Sequence, residues 1–214
     1  MATGEFLIKI CGITNQEDAL ASIEYGANAL GFNFYRPSPR YTVPQEVQSI
    51  LELLPEQVLK VAVVVVSSGD VHHTFEDISS RVPSIDAFQL HGLKSESEIP
   101  SVEKRLFIAT SPEEVDSFAN CEIVIDTSWG RGKKADWEQL AHLKQPYILS
   151  GGLDPENVVE AIKFLHPAGV DVCSGVEQSP GIKDAGKLRR FIEGAKQAGL
   201  NHRPQTRLGV RGTI

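Results

Sequence analysis

The chain has 214 residues, 41% hydrophobic and 23% charged, with a formal net charge of −7; this is enough chain for a real core, and the acidic balance speaks against a nucleic-acid partner. Three cysteines, at 11, 121 and 173, form no C-x-x-C pair and are odd in number, which argues against a disulfide framework and for a reducing, cytoplasmic setting. No basic start followed by an apolar stretch marks a leader, and the apolar run at 58–66 is too short to span a membrane.

Apolar, β-branched runs recur at 6–10, 29–34, 58–66, 85–90, 105–109, 122–125, 147–149 and 170–172, giving eight candidate strands. Helical patterns lie between them. After the first run, Thr14-x-x-Glu17 reads as a capping box and Gly26 as a stop. A short helix is expected at 112–118 after the fifth run, and a brief one at 136–142 after the sixth. After the seventh, Asp154 caps, Pro155 takes the first helical position, and Val158, Ile162 and Leu165 share a face. After the eighth, Asp184 precedes Leu188, Phe191, Ile192 and Ala195, an i, i+3, i+4, i+7 stripe.

Strict β-α alternation means parallel strands with helical crossovers. Eight such units predict a single closed (β/α)8 TIM barrel over residues 1–200, at the lean end of its size range. An open doubly wound sheet would hold the same strands, but no G-x-G-x-x-G follows the first. Residues 201–214 carry Arg203, Arg207 and Arg211 without an apolar period and read as a C-terminal tail.

The functional face of a barrel lies where its strands end. Here the first strand ends at Cys11-Gly12, the second runs into "YRPSPRY" (35–41), the fourth into Gln89 and His91-Gly92, and the sixth into Asp126. The seventh opens into "SGGL" (150–153) and the eighth into "CSGVE" (173–177). Small residues leave backbone N–H groups uncovered for an anion, and barrels commonly bind phosphate after strands seven and eight. Plain turns would use the same glycines, so the pairing of the two loops carries the expectation.

Cys11 is either a small core residue, as most free cysteines are, or a base on display before its glycine. Asp126 is a turn residue or an acid; facing Cys11 across the mouth, it would suit proton transfer. Arg40 is a solvated loop charge or a fork for a carboxylate. His91 is a lone histidine, and His72-His73 have no partners at metal spacing, so no metal is expected. Neither G-x-S-x-G nor a P-loop occurs.

Together, "KICGIT" (9–14), "GFNFYRPSPRY" (31–41), "FQLHG" (88–92), "LSGGLDPENV" (149–158) and "DVCSGVEQSPGIKD" (171–184) resemble the phosphoribosylanthranilate isomerase family of tryptophan biosynthesis, over about residues 7–196. The resemblance implies that Cys11 is the general base and Asp126 the general acid. It implies that Arg40 holds the anthranilate carboxylate, and that Gly151, Gly152, Ser174 and Gly175 bind phosphate. The implied reaction is an Amadori rearrangement of an N-glycosylamine. Asp126 protonates the ring oxygen, the ring opens to an iminium, and Cys11 takes the C2 proton. No redox or hydrolytic step is involved, so no cofactor is expected. The partner is a phosphorylated sugar, and a monomer rather than a dimer is expected.

Three features depart from the family pattern. The loop "DTSWGRGKKADW" (126–137) is shorter than usual and lacks a double glycine before G-K, Cys173 stands where serine is usual, and the arginine-bearing tail has no counterpart. Two rivals remain. The related histidine-pathway isomerase would place an aspartate at position 11, and a metabolite-sensing barrel would bind without turnover.

Strand parity adds one expectation. Side chains two apart share a face, so Lys9 points inward beneath Cys11, and Asp171 beneath Cys173. Neighbouring strands one and eight would then pair Lys9 with Asp171 under the site. Lys9 either favours the Cys11 thiolate or only neutralises Asp171.

Overall fold

The eight apolar runs become eight parallel strands that close in sequence order: β1 (Leu7–Cys11), β2 (Ala29–Asn33), β3 (Leu59–Val65), β4 (Ala87–His91), β5 (Arg105–Thr110), β6 (Glu122–Asp126), β7 (Tyr147–Ser150) and β8 (Gly169–Val172). The structure, a computed structural model, describes residues 5–66, 71–99, 101–126 and 137–200. The loop at 127–136 and the tail at 201–214, both singled out in the sequence, therefore lie outside the described residues.

Closure rests on β1, which pairs with β2 on one side and β8 on the other, with Lys9 opposite both Ala29 and Asp171. Alternation along each strand makes two cores. Leu7, Ala29, Val61, Ala87, Phe107 and Ile148 pack inside the barrel, while Ile10, Leu30, Phe88, Ile123 and Val170 face the helical layer. All five named here from that outer file are fully buried branched or aromatic residues, on β1, β2, β4, β6 and β8, which is why the sequence runs read as near-continuous apolar segments.

The helical layer is thinner than strict alternation implies. Among the described residues the helices are α1 (Gln16–Tyr25), α2 (Pro44–Leu51), α3 (Val71–Arg81), α4 (Trp137–Leu140), α5 (Val158–Leu165) and α6 (Ala185–Leu200). His72 and His73 fall in α3. After β4 and β5 the crossovers shrink to 3₁₀ turns, Glu96–Glu98 and Val115–Phe118, so the helix expected at 112–118 is one tight turn. Val115 and Phe118 are its buried contacts, and two anchors suffice for so short a connection.

The first cap is displaced by one residue from the expected box. Asn15, not Thr14, caps α1: its Oδ1 accepts from the Asp18 N–H at 2.8 Å, and its Nδ2 donates to Asp18 Oδ2 at 2.8 Å. Asn15 thus caps through its side chain, and the second bond joins the two side chains rather than engaging the Asn15 backbone N–H as a full capping box would. Thr14 instead donates its hydroxyl to the Gly181 carbonyl at 2.5 Å, which ties the first loop to the end of the chain. Gly26 closes α1 in the left-handed region, as expected. Asp184 accepts from the Lys187 backbone at the start of α6. Asp154 accepts from the backbone of Glu156 and Asn157, but it does so in a turn ahead of α5, which begins at Val158 with Asn157 at its N-cap position. Pro155 therefore lies in that turn and not at the first helical position expected of it.

Beyond β8 the chain adds a 3₁₀ turn, Ser174–Val176, and a small antiparallel hairpin of β9 (Glu177–Ser179) and β10 (Ile182–Lys183) before α6. This hairpin is absent from the sequence expectations, and it brings two further charged side chains to the mouth.

Candidate active site

The upper interior begins with an ion pair. Lys9 and Asp171 are register partners on β1 and β8, and Lys9 Nζ donates to Asp171 Oδ1 at 2.8 Å with both side chains buried. Burial opposes the charge of Lys9, but Asp171 and Cys11 outweigh it and hold the ammonium above its ordinary range. The other Asp171 oxygen accepts from Ser150 Oγ at 3.3 Å, which extends the network to the end of β7.

Cys11 stands one layer above Lys9. Both lean over Gly31 of β2, where an added Cβ would come within 2.9 Å of Cys11 Sγ and 3.1 Å of Lys9 Nζ. Glycine is required here for space. The Cys11 thiol is pulled down to about 7. A hydrogen bond from the Cys173 thiol is the largest cause; burial opposes it, and the Lys9 and Lys183 ammonium groups reinforce it. The same contact, together with burial, pushes Cys173 well above the ordinary thiol value. The Cys173 thiol also reaches the rim cluster, donating to Glu177 Oε1 at 3.7 Å.

Asp126 ends β6 and follows Val124 by two, so it shares the inward file. In the strand order, β7 and β8 separate it from Cys11 on one side and β2 to β5 on the other, which sets the two across the mouth. His91, at the end of β4, hydrogen bonds to Gln89 Nε2 at 3.0 Å. Burial lowers its pKa, and the Asp126 carboxylate only partly offsets this, so the imidazole is neutral.

Arg40 is already engaged. Its Nε and Nη2 fork onto Glu177 at 2.8 and 2.7 Å. Lys183 Nζ donates to the same carboxylate at 3.1 Å and to the Cys11 carbonyl at 2.6 Å. Burial would raise the Glu177 carboxyl, but the Arg40 hydrogen bonds and the Lys183 charge bring it down to about 2. Sequence reasoning missed Glu177 and Lys183 as site residues, although both stand in the quoted 171–184 segment.

The two glycine loops meet above β7 and β8. Gly151 and Gly152 have φ of 89° and 67°, successive residues in the left-handed region that glycine adopts without strain. Ser174 is exposed, and Gly175 is pressed so closely on the Leu153 carbonyl that any side chain there would collide with it. The described residues hold no cluster of three or more potential metal ligands.

Comparison with known proteins agrees with this geometry. The family model described as N-(5'phosphoribosyl)anthranilate (PRA) isomerase matches residues 8–194. The N-(5'-phosphoribosyl)anthranilate isomerase of Trichlorobacter lovleyi is 38% identical over 205 residues, covering 89% of this chain and 98% of that protein. A phosphoribosyl anthranilate isomerase solved with reduced 1-(o-carboxyphenylamino)-1-deoxyribulose 5-phosphate is 35% identical, with a TM-score of 0.79 and coverage of 90% and 99% of the two chains. Monomers generated from the dimeric enzyme of Thermotoga maritima match at 36% identity and a TM-score of 0.77, with the same coverage. With the barrel closed, the motif residues at its mouth and the family match spanning nearly its whole length, this chain belongs to the phosphoribosylanthranilate isomerase family.

Proposed function

We infer that this chain converts N-(5-phosphoribosyl)anthranilate to 1-(2-carboxyphenylamino)-1-deoxyribulose 5-phosphate, the Amadori step of tryptophan biosynthesis. The observation that carries the assignment of roles is Cys11, set above a buried lysine and held at about 7, where an appreciable fraction is thiolate at neutral pH. Asp126, as the acid, protonates the ribose ring oxygen; the ring opens to an iminium. Cys11, as the base, removes the C2 proton, and the resulting enol-amine tautomerises to the ketose. The ring C–O bond opens as its oxygen is protonated, and the later steps move only protons within the sugar, so side-chain acid and base suffice.

The N–H groups of Gly151, Gly152, Ser174 and Gly175 take the phosphate. Arg40 takes the anthranilate carboxylate, with Glu177 fixing the plane of the guanidinium. Lys9 and Asp171 support Cys11 from below. The ligand in the related complex, a phosphorylated carboxyphenylamino sugar, has the anionic groups that these two anchors require.

The test follows loss of anthranilate-type fluorescence when purified protein meets freshly made phosphoribosylanthranilate. Turnover is expected. Saturable binding with no turnover would instead make the barrel a sensor.

The catalytic unit is residues 1–200, with 201–214 as an appendage whose removal leaves turnover intact. Every proposed role lies at one barrel mouth, which supports a monomer acting alone; light scattering across a concentration series checks this. None of the described helices is long and apolar enough to cross a membrane, and three free cysteines fit the cytoplasm.

A further inference from the structure

Cys173 takes no part in the proton transfers above, yet it stands beside the base at the top of the neighbouring strand. The backbone explains why. Lys9 is opposite Asp171 and Ile10 opposite Val172 in the β1–β8 register, so the next rung sets Cys11 opposite Cys173. Neighbouring strands lie about 4.7–4.9 Å apart, inside the Cα separation of about 4.4–6.8 Å that a disulfide spans. Parity turns both side chains toward the mouth. Lys183 Nζ fastens the two backbones at one level, reaching the Cys11 carbonyl at 2.6 Å and the Cys173 carbonyl at 3.4 Å. Both cysteines are free.

We propose that Cys11 and Cys173 are a paired oxidation site, forming a reversible disulfide that switches the barrel off when a hydroperoxide enters the mouth. The Cys11 thiolate attacks one peroxide oxygen. An S–O bond forms, the O–O bond breaks, and the departing oxygen takes up a proton and leaves as water or an alcohol. The Cys173 sulfur then attacks the Cys11 sulfenic acid. An S–S bond forms, the S–O bond breaks, and the hydroxide takes the Cys173 proton and leaves as water. The two thiols together lose two electrons, and the peroxide gains them.

The surroundings suit both steps. Lys9 and Lys183 favour the attacking thiolate, while the register sets the resolving thiol at the same level on the next strand before oxidation begins. Without that thiol, the sulfenic acid has no neighbouring sulfur to capture it and can be oxidised further to the sulfinic acid.

The inference rests on Cys11 as the base only for its consequence, loss of turnover; the cross-link itself is read by mass. Full-length protein is treated with graded hydrogen peroxide, then assayed before and after dithiothreitol and mapped without reduction. The expected result is a joined peptide carrying Cys11 and Cys173, two hydrogens lighter than the sum, with activity lost in proportion and restored by dithiothreitol. In Cys173→Ser, judged against its own untreated activity, the same peroxide should carry Cys11 to a form two oxygens heavier, and dithiothreitol should not restore the loss. Absence of the joined peptide in the parent protein overturns the proposal, as does a Cys173→Ser protein that recovers as fully as the parent. A joined peptide in a protein that never turned over would uphold the disulfide and overturn the assigned activity.

Discussion

The two ends of the barrel interior are lined by the same strands but by different chemistry. At the lower end, Leu7, Ala29, Val61, Ala87, Phe107 and Ile148 fill the space with carbon alone. Further up the inward faces stand Lys9, Gln89, Asp171 and Ser150, and at the mouth Cys11, His91, Asp126 and Cys173. The strand period of two makes this division. A file that alternates faithfully keeps the lower end dry and delivers functional groups to the upper end without any change of backbone. The lower end needs only volume, which many apolar combinations supply. The upper end needs a partner for each polar atom, which few combinations supply.

The largest expected effect lies at the top. Cys11→Ala and Asp126→Ala should each lower kcat by about 10²–10⁴-fold, with midpoints of thermal unfolding close to the parent's. Near-normal kcat in either variant would remove that residue from the mechanism. At the bottom the pattern should invert. Phe107, fully buried, should cost about 3–5 kcal/mol on replacement by alanine, read by urea unfolding, while the folded fraction keeps its kcat/KM. A loss of turnover as deep as that of Asp126→Ala would erase the distinction between the two ends.

The middle layer should show both signatures. Lys9→Met strands Asp171 in a buried position, at a cost of about 3–5 kcal/mol; adding Asp171→Asn should return most of it. In both proteins the alkaline-side rise of kcat/KM, expected near the Cys11 value of about 7, should move to higher pH. Cys173→Ala should move it further, because the Cys173 hydrogen bond is the largest cause of the lowered value, whereas Cys173→Ser keeps a donor. An unmoved limb in Lys9→Met leaves that residue a purely structural one.

The smallest effect is at the rim. Glu177 titrates at about 2 in the folded protein, below its ordinary value of 4.5. A depressed carboxyl contributes stability that is fully present above its ordinary value and is lost as pH falls through the folded one. Between pH 4.5 and 2 the parent should therefore lose stability more steeply than Glu177→Gln. Parallel acid-unfolding curves would show that the Arg40–Glu177–Lys183 cluster contributes nothing to folding.

Most of the barrel was legible because its information is local. The β-branched runs locate the strands, and parity alone led from Lys9 to Asp171, which are 162 residues apart in sequence. The misreadings have physical causes. Thr14 and Asn15 are both competent caps, and the choice fell to Asn15 because Thr14 finds a partner at Gly181, which no local pattern can reveal. Glu177 and Lys183 were invisible as site residues because their roles come from the fold of the β9–β10 hairpin, which returns Lys183 to the Cys11 carbonyl. Arg40 was recognisable as a carboxylate fork, but the carboxylate it holds here belongs to the protein.

The link between Cys11 and Lys183 has a bearing on how the chain is made. On the ribosome, residue 11 emerges well before residue 183, which lies 172 residues later, and domains fold as they are made. Until β8 and its hairpin appear, Lys9 has no counter-ion and the Cys11 carbonyl has no ammonium to receive, since both partners lie 162 or more residues downstream. The eighth unit completes the first, so the reactive thiol gains its lowered pKa only after Cys173 and Lys183 have been made. A truncated chain released before Asp171 would carry Cys11 as an ordinary thiol.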